Sequence, residues 1–267
     1  MGRIEAVFQE LKTVGKKGLI PFVTAGDPDL ASTLLILHAL VESGADIIEL
    51  GIPFSDPMAD GPVIQRASER SLANGTTLLK CLKIVQDFRS TNQLTPIVLM
   101  GYANPIERMG IEIFTQKAKE AGVDGVLVVD YPPEECTEFA SILKKAGLSP
   151  IFLLAPTSTQ ERINHVSLAS SGYIYYVSLK GVTGASNVNI AEVATITDQI
   201  RAQTSTPLAI GFGIRDAESA KKLSQSADAV IIGSKLVQIL EESSSDTRLQ
   251  SLKSFIRDIR TALDSNK

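Results

Sequence analysis

Pro207-Leu208-Ala209-Ile210-Gly211-Phe212-Gly213-Ile214 and Ala229-Val230-Ile231-Ile232-Gly233-Ser234 are two short runs, apolar at consecutive positions, with room for one helix between them. Consecutive apolar residues mark strands covered on both faces, the condition of a parallel sheet, and strand, helix and second strand make one βαβ unit. Toward the amino end the same kind of run recurs at Tyr173 to Leu179, Ser149 to Pro156, Gly125 to Asp130, Pro96 to Tyr102, Ile47 to Ile52 and Ile20 to Gly26. Eight strands alternating with helices in a chain of 267 residues match a (β/α)8 TIM barrel, whereas a doubly wound sheet more often has five or six strands.

The segments between the runs carry the helical period. Leu30, Leu34, Leu37 and Val41 step by four, three and four, and Leu249, Leu252, Ile256, Ile259 and Leu263 form a second stripe. Glycines at Gly44, Gly122 and Gly147 stand where helices give way to strands. Ile4, Phe8 and Leu11 predict a short helix ahead of the first strand, placed to plug the amino-terminal mouth of the barrel. Strand starts lie 22 to 34 residues apart except after the second strand, where the gap is 49 and holds Pro53 to Gly61 plus an additional helix. No linker or low-complexity tract divides the chain, so residues 1–267 are expected to form a single α/β catalytic domain.

The net charge of −4 and the lack of a Lys/Arg stripe argue against nucleic acid. No apolar run approaches the ~20 residues of a membrane span, and no leader-like segment opens the chain, which makes the cytoplasm the expected compartment. Cys81 and Cys136 lack metal or redox spacing. The two histidines, His38 and His165, fall on helices away from strand ends, so no metal site is expected.

In this fold the active site gathers at the carboxyl ends of the strands. Glu49 is the only charged residue within the second apolar run, and a buried carboxylate without a partner costs several kcal/mol or takes up a proton. It therefore reads as a general acid–base, against the plainer reading of an internal salt bridge. Asp56 and Asp60 follow in the long loop. Either fits a turn or an N-cap, and one of them, placed over the barrel mouth, would be suited to accept a substrate N–H and stabilise positive charge there. Gly181-Val182-Thr183-Gly184, Gly211-Phe212-Gly213-Ile214 and Ile232-Gly233-Ser234-Lys235 follow strands six to eight. Glycines there let backbone N–H groups approach an anion, and a helix starting at Ser234 would aim its positive end at the same point, so phosphate is the expected guest. Tyr173 and Tyr175 share one face of strand six while Tyr176 takes the other. A tyrosine inside the barrel needs a hydroxyl partner, and Glu49 fits, with core packing an equal reading for Tyr173.

Ile48-Glu49-Leu50-Gly51-Ile52-Pro53-Phe54-Ser55-Asp56-Pro57 through Asp60-Gly61-Pro62 resembles the signature of tryptophan synthase α subunits. Pro21-Phe22-Val23-Thr24-Ala25-Gly26-Asp27-Pro28, Tyr102-Ala103-Asn104-Pro105 and the glycine segments at 181–184 and 211–214 match the same family in order and separation, so the likeness runs from about residue 3 to residue 263. The resemblance implies cofactor-free retro-aldol cleavage of indole-3-glycerol phosphate to indole and glyceraldehyde 3-phosphate. It implies catalytic roles for Glu49, Asp60 and Tyr175, and phosphate contacts from Gly184, Gly213, Gly233 and Ser234. It further implies an indole pocket of Phe22, Met100, Leu127, Thr183 and Phe212. The family works in an αββα heterotetramer with a pyridoxal-phosphate β subunit that receives the indole, and the loops Pro53 to Gly61 and Lys180 to Ile190 close over the site.

Three alternatives stay open on sequence. The related stand-alone indole-3-glycerol phosphate lyases share these motifs. A Schiff-base aldolase would use Lys180, just past a strand end. A non-catalytic barrel acting only as an activating partner would have no need of an intact Glu49 and Asp60.

Overall fold

The computed structural model describes residues 1–132, 136–178, 190–211 and 213–265, without the side chains of 190 and 191. The chain opens with α1 (Arg3–Val14) and runs through β1 (Gly18–Thr24), α2 (Leu30–Glu42), β2 (Ile48–Gly51), α3 (Pro62–Ala73), α4 (Leu78–Arg89) and β3 (Ile97–Gly101). It continues with α5 (Ala103–Met109), α6 (Ile111–Ala121), β4 (Gly125–Val128), α7 (Thr137–Ala146), β5 (Ser149–Ile151), β6 (Leu153–Leu154), α8 (Gln160–Ala169) and β7 (Ile174–Val177). The last third holds α9 (Ile190–Arg201), β8 (Leu208–Gly211), α10 (Ala217–Ser224), β9 (Ala229–Ile232), α11 (Ser234–Glu242) and α12 (Arg248–Asp264).

All strand pairings are parallel, in the order β5-β4-β3-β2-β1-β9-β8-β7-β6. The two ends of that order are halves of one strand interrupted at Phe152, whose carbonyl accepts from the Tyr175 N–H at 3.0 Å. The sheet therefore closes, and the eight expected strands are present with the fifth in two pieces. This is the (β/α)8 barrel.

Alternation along each strand sorts the side chains into two cores. Leu19, Ile48, Leu50, Ile97, Leu99 and Tyr176 face the helices. Ile20, Ile47, Val98, Leu127, Tyr173, Tyr175 and Ile231 face the barrel axis, where Ile4 and Phe8 of α1 join them. The Phe8 and Tyr173 rings lie 6.0 Å apart. The predicted plug is thus in place.

Two helical readings need adjustment. On α2 the fully buried positions are Thr33, Ile36, Leu37, Ala39 and Leu40, while Leu30, Leu34 and Val41 are only partly covered. The helix is flanked by α4 and α12 as well as backed by the sheet, so its apolar arc is wider than one stripe, and its centre is displaced from the leucine spacing. The interval after β2 holds α3 and α4 as expected. A doubled helix also follows β3, because Gly110 at φ 88 separates α5 from α6, a conformation open mainly to glycine. Another doubling follows β9.

Candidate active site

Glu49 occupies the middle of β2, in register with Phe22 of β1 and Val98 of β3. Its side chain points to the barrel axis and is fully buried. Oε1 accepts a 2.6 Å hydrogen bond from the Tyr173 hydroxyl, and Oε2 has no partner among the described residues. The sequence left Tyr173 and Tyr175 as possible partners for this carboxyl; Tyr173 fills that role. Burial pushes the Glu49 carboxyl up to about 8, a rise that the Tyr173 bond reduces without cancelling. The Tyr173 hydroxyl itself is held far above its ordinary value by burial and by the neighbouring Glu49, so it stays protonated and donates.

Above Glu49 opens a cleft with both polar and apolar residues in its walls. Of the residues singled out by sequence, Glu49, Asp60, Tyr175, Phe22, Met100, Gly213, Gly233 and Ser234 all line it. Asp60 ends the loop after β2. Desolvation raises its carboxyl, opposed by a 2.9 Å hydrogen bond that the Tyr102 hydroxyl donates to Oδ2. The Tyr175 hydroxyl lies against Gly211, where any Cβ would collide with it, so the glycine makes room for the phenol. Opposite, Gly233 caps α11, whose first turn begins at Ser234. The free N–H groups and positive dipole end of that turn face the cleft, an arrangement suited to an anion.

Not every expectation lands on the cleft wall. Leu127 pairs in register with Met100 and Ile151 and is fully buried, and it is absent from the cleft lining although Met100 beside it is present there. Thr183, Gly184, Phe212 and Lys180, with the expected lid Lys180 to Ile190 up to residue 189, lie outside the described residues. Ile64, Ile214 and Ile231 line the cleft without having been singled out. Ile231 was in reach, since it sits two residues before Gly233 and shares its face, whereas Ile64 arrives from α3 and has no strand-end signature.

Asp56 is exposed and accepts from the Ser55 hydroxyl, consistent with a loop residue. His38 sits outside the barrel against Thr91 and Phe88, and His165 on α8 also lies away from the cleft. Among the described residues no group of three His, Cys, Asp or Glu side chains is arranged to hold a metal, and no helix is long and apolar enough to cross a membrane.

The sequence profile of tryptophan synthase alpha chains matches residues 8–264. The chain belongs to the tryptophan synthase alpha chain family. It is 60% identical over 265 residues to the tryptophan synthase alpha chain of Polynucleobacter asymbioticus, covering 99% of this chain and 100% of that one. The Paraburkholderia phytofirmans alpha chain is 58% identical, with 99% and 98% covered. A crystal structure of tryptophan synthase subunit alpha from Legionella pneumophila superposes with a TM-score of 0.92 at 43% identity, covering 99% of each chain. A structure of Mycobacterium tuberculosis tryptophan synthase superposes at 0.90 with 33% identity, covering 98% of each chain. As a tryptophan synthase alpha chain, this protein is a lyase of tryptophan biosynthesis that cleaves indole-3-glycerol phosphate.

Proposed function

We propose that Glu49 is the acid–base of this cleavage, that Asp60 stabilises the charged indole, that Tyr175 positions the glycerol part, and that Gly213, Gly233 and Ser234 bind the phosphate. One observation carries the assignment: a fully buried carboxyl with one oxygen held by Tyr173 and the other unpartnered, in the floor of a cleft whose far wall is a glycine-capped helix N-terminus. With its pKa near 8, Glu49 carries its proton at neutral pH and begins as the acid.

The Glu49 carboxyl gives its proton to indole C3, leaving positive charge on the ring nitrogen. The Asp60 carboxylate accepts the ring N–H and stabilises that charge in a partly dry site. Glu49, now a carboxylate, takes the proton of the glycerol hydroxyl as the bond from C3 to the side chain breaks. Its electron pair returns to the ring, giving indole, and the hydroxyl carbon becomes the aldehyde of glyceraldehyde 3-phosphate. Glu49 ends with the proton it began with, so no external acid, base or oxidant is consumed. Phosphate at Gly233 and Ser234 holds one end of the substrate, and Phe22 and Met100 offer hydrocarbon to the other.

On this reading residues 1–267 act as one catalytic domain in the cytoplasm, with no cofactor of its own. Pyridoxal phosphate belongs to a β subunit that receives the indole in an αββα assembly. Thr183, Gly184 and Phe212 are proposed to complete the site by family resemblance. The test is indole release by the purified chain with and without a β subunit, for wild type and Glu49→Gln. Loss of turnover in the variant, with retained binding of glycerol phosphate, supports the assignment; near-normal turnover refutes it.

A further inference from the structure

We propose that Tyr102 is a positioning residue that holds Asp60 in its working orientation; this rests on the role given to Asp60 above. Tyr102 follows β3 directly and is buried. Its ring stacks on Phe54 with centroids 5.1 Å apart and planes 28° from parallel. Its hydroxyl accepts from the Ala59 N–H at 3.0 Å and donates to Asp60 Oδ2 at 2.9 Å. One phenol therefore ties both ends of the loop after β2 to the barrel, by its face at Phe54 and by its oxygen at Ala59 and Asp60.

The stretch between these ties is largely exposed and is spanned by local backbone bonds, from Met58 N–H to the Asp56 carbonyl and from Asp60 N–H to the Pro57 carbonyl. Those bonds shape a turn but do not fix it to the sheet. Among the described residues Tyr102 is the only donor to the Asp60 carboxylate. The geometry divides the carboxylate in two: Oδ2 is held by the phenol, and Oδ1 is left to accept a ring N–H. Burial and the adjacent Asp60 raise the Tyr102 hydroxyl, which keeps the proton on the phenol and fixes the donor direction.

The same bond opposes the desolvation that raises Asp60. A protonated Asp60 would have no charge with which to stabilise a cation, so Tyr102 also helps keep the carboxylate ionised. The titratable groups that face this pair are Glu49 from β2, Tyr175 from β7 and Asp130 from the loop after β4, which acts on Tyr102. None of them bonds to Asp60, and all are unchanged in the variant below.

The experiment is indole release by the full chain across pH for wild type, Tyr102→Phe and Asp60→Asn. Phenylalanine keeps the ring on Phe54 and removes only the oxygen. The expected result is a kcat lowered by about tenfold with KM little changed, and an acid limb of kcat displaced to higher pH because Asp60 loses the bond that favours its ionised form. A wild-type kcat and an unmoved acid limb in Tyr102→Phe, with Asp60→Asn inactive, overturns this inference and leaves the Asp60 assignment standing. A lowered kcat with an unmoved limb also overturns it, since a merely structural loss would behave that way. Near-normal turnover in Asp60→Asn overturns the Asp60 assignment and this inference with it.

Discussion

At the amino-terminal mouth of the barrel, Ile4 and Phe8 close the axis with hydrocarbon against Ile20, Val98 and Tyr173. At the carboxyl-terminal mouth, Glu49 of β2, Gly213 after β8 and Gly233 after β9 line a cleft. The chain thus concentrates apolar volume at one end of the sheet and removes it at the other, where glycines withdraw side chains and a carboxyl replaces an aliphatic residue. Tyr173 joins the two ends: its ring packs on the plug at Phe8, and its hydroxyl holds the carboxyl at the cleft floor. Stability and chemistry should therefore respond separately to changes at the two mouths.

The largest separation is expected at Glu49. Glu49→Gln should lower indole release by about a thousandfold, within the range for loss of a general acid–base group. Its effect on stability should be favourable and pH-dependent. Burial raises the folded pKa to about 8 from an ordinary 4.5, so the folded chain binds this proton more tightly than the unfolded chain. The resulting stabilisation is full below about pH 4.5 and is lost as pH rises through about 8, a difference on the order of 5 kcal/mol. Asp46 and Asp60, also raised by burial, slope the same way and remain in both proteins. Urea unfolding of wild type and variant at pH 5 and pH 8.5 isolates Glu49. Parallel curves would mean that the carboxyl is not buried as described.

At the opposite mouth the expected order is reversed. Phe8→Ala should cost about 3 kcal/mol of stability, from lost burial and the cavity left behind, while turnover per folded molecule is little changed. Urea unfolding paired with the indole assay reads both quantities. A large loss of kcat with normal stability would mean that the plug acts on Glu49 through Tyr173, and that the two mouths are coupled.

How much of this was legible in sequence depends on whether a residue's role is set locally. The strands were legible because burial on both faces leaves unbroken apolar runs. Glu49 was legible for the converse reason, as a charge where desolvation forbids one without cause. Gly233 and Ser234 read as an anion site only together with the glycines after the seventh strand, in the loops where this fold commonly holds phosphate, and both line the cleft. The partner of Glu49 could not be chosen, since Tyr173 and Tyr175 share a face and only three-dimensional height along the axis separates them. Leu127 has the character of a pocket residue but is fully buried and absent from the cleft lining. Tyr102 belonged to a recognised segment, yet nothing local indicates that its hydroxyl reaches back 42 residues to Asp60. The α2 stripe was displaced because flanking helices, which the period of one helix does not report, widen its buried arc.

The smallest expected effect tests the anion wall. Gly233 has a negative φ of −121, and an added Cβ would meet Phe22 at 3.5 Å, an ordinary contact. Gly233→Ala should therefore leave stability within about 0.5 kcal/mol of wild type. The methyl would lie against Phe22 on the cleft wall, at the N-cap of α11. If phosphate sits there, KM for indole-3-glycerol phosphate should rise about tenfold, or about 1.4 kcal/mol, with kcat nearly constant, because the lost interaction is made equally in ground and transition states. Gly213 is a poorer probe, since its φ of 80 would add backbone strain to any effect on binding. A Gly233→Ala enzyme with unchanged KM would remove phosphate from this wall and leave the glycines as turns, making the open mouth a site for the indole end alone.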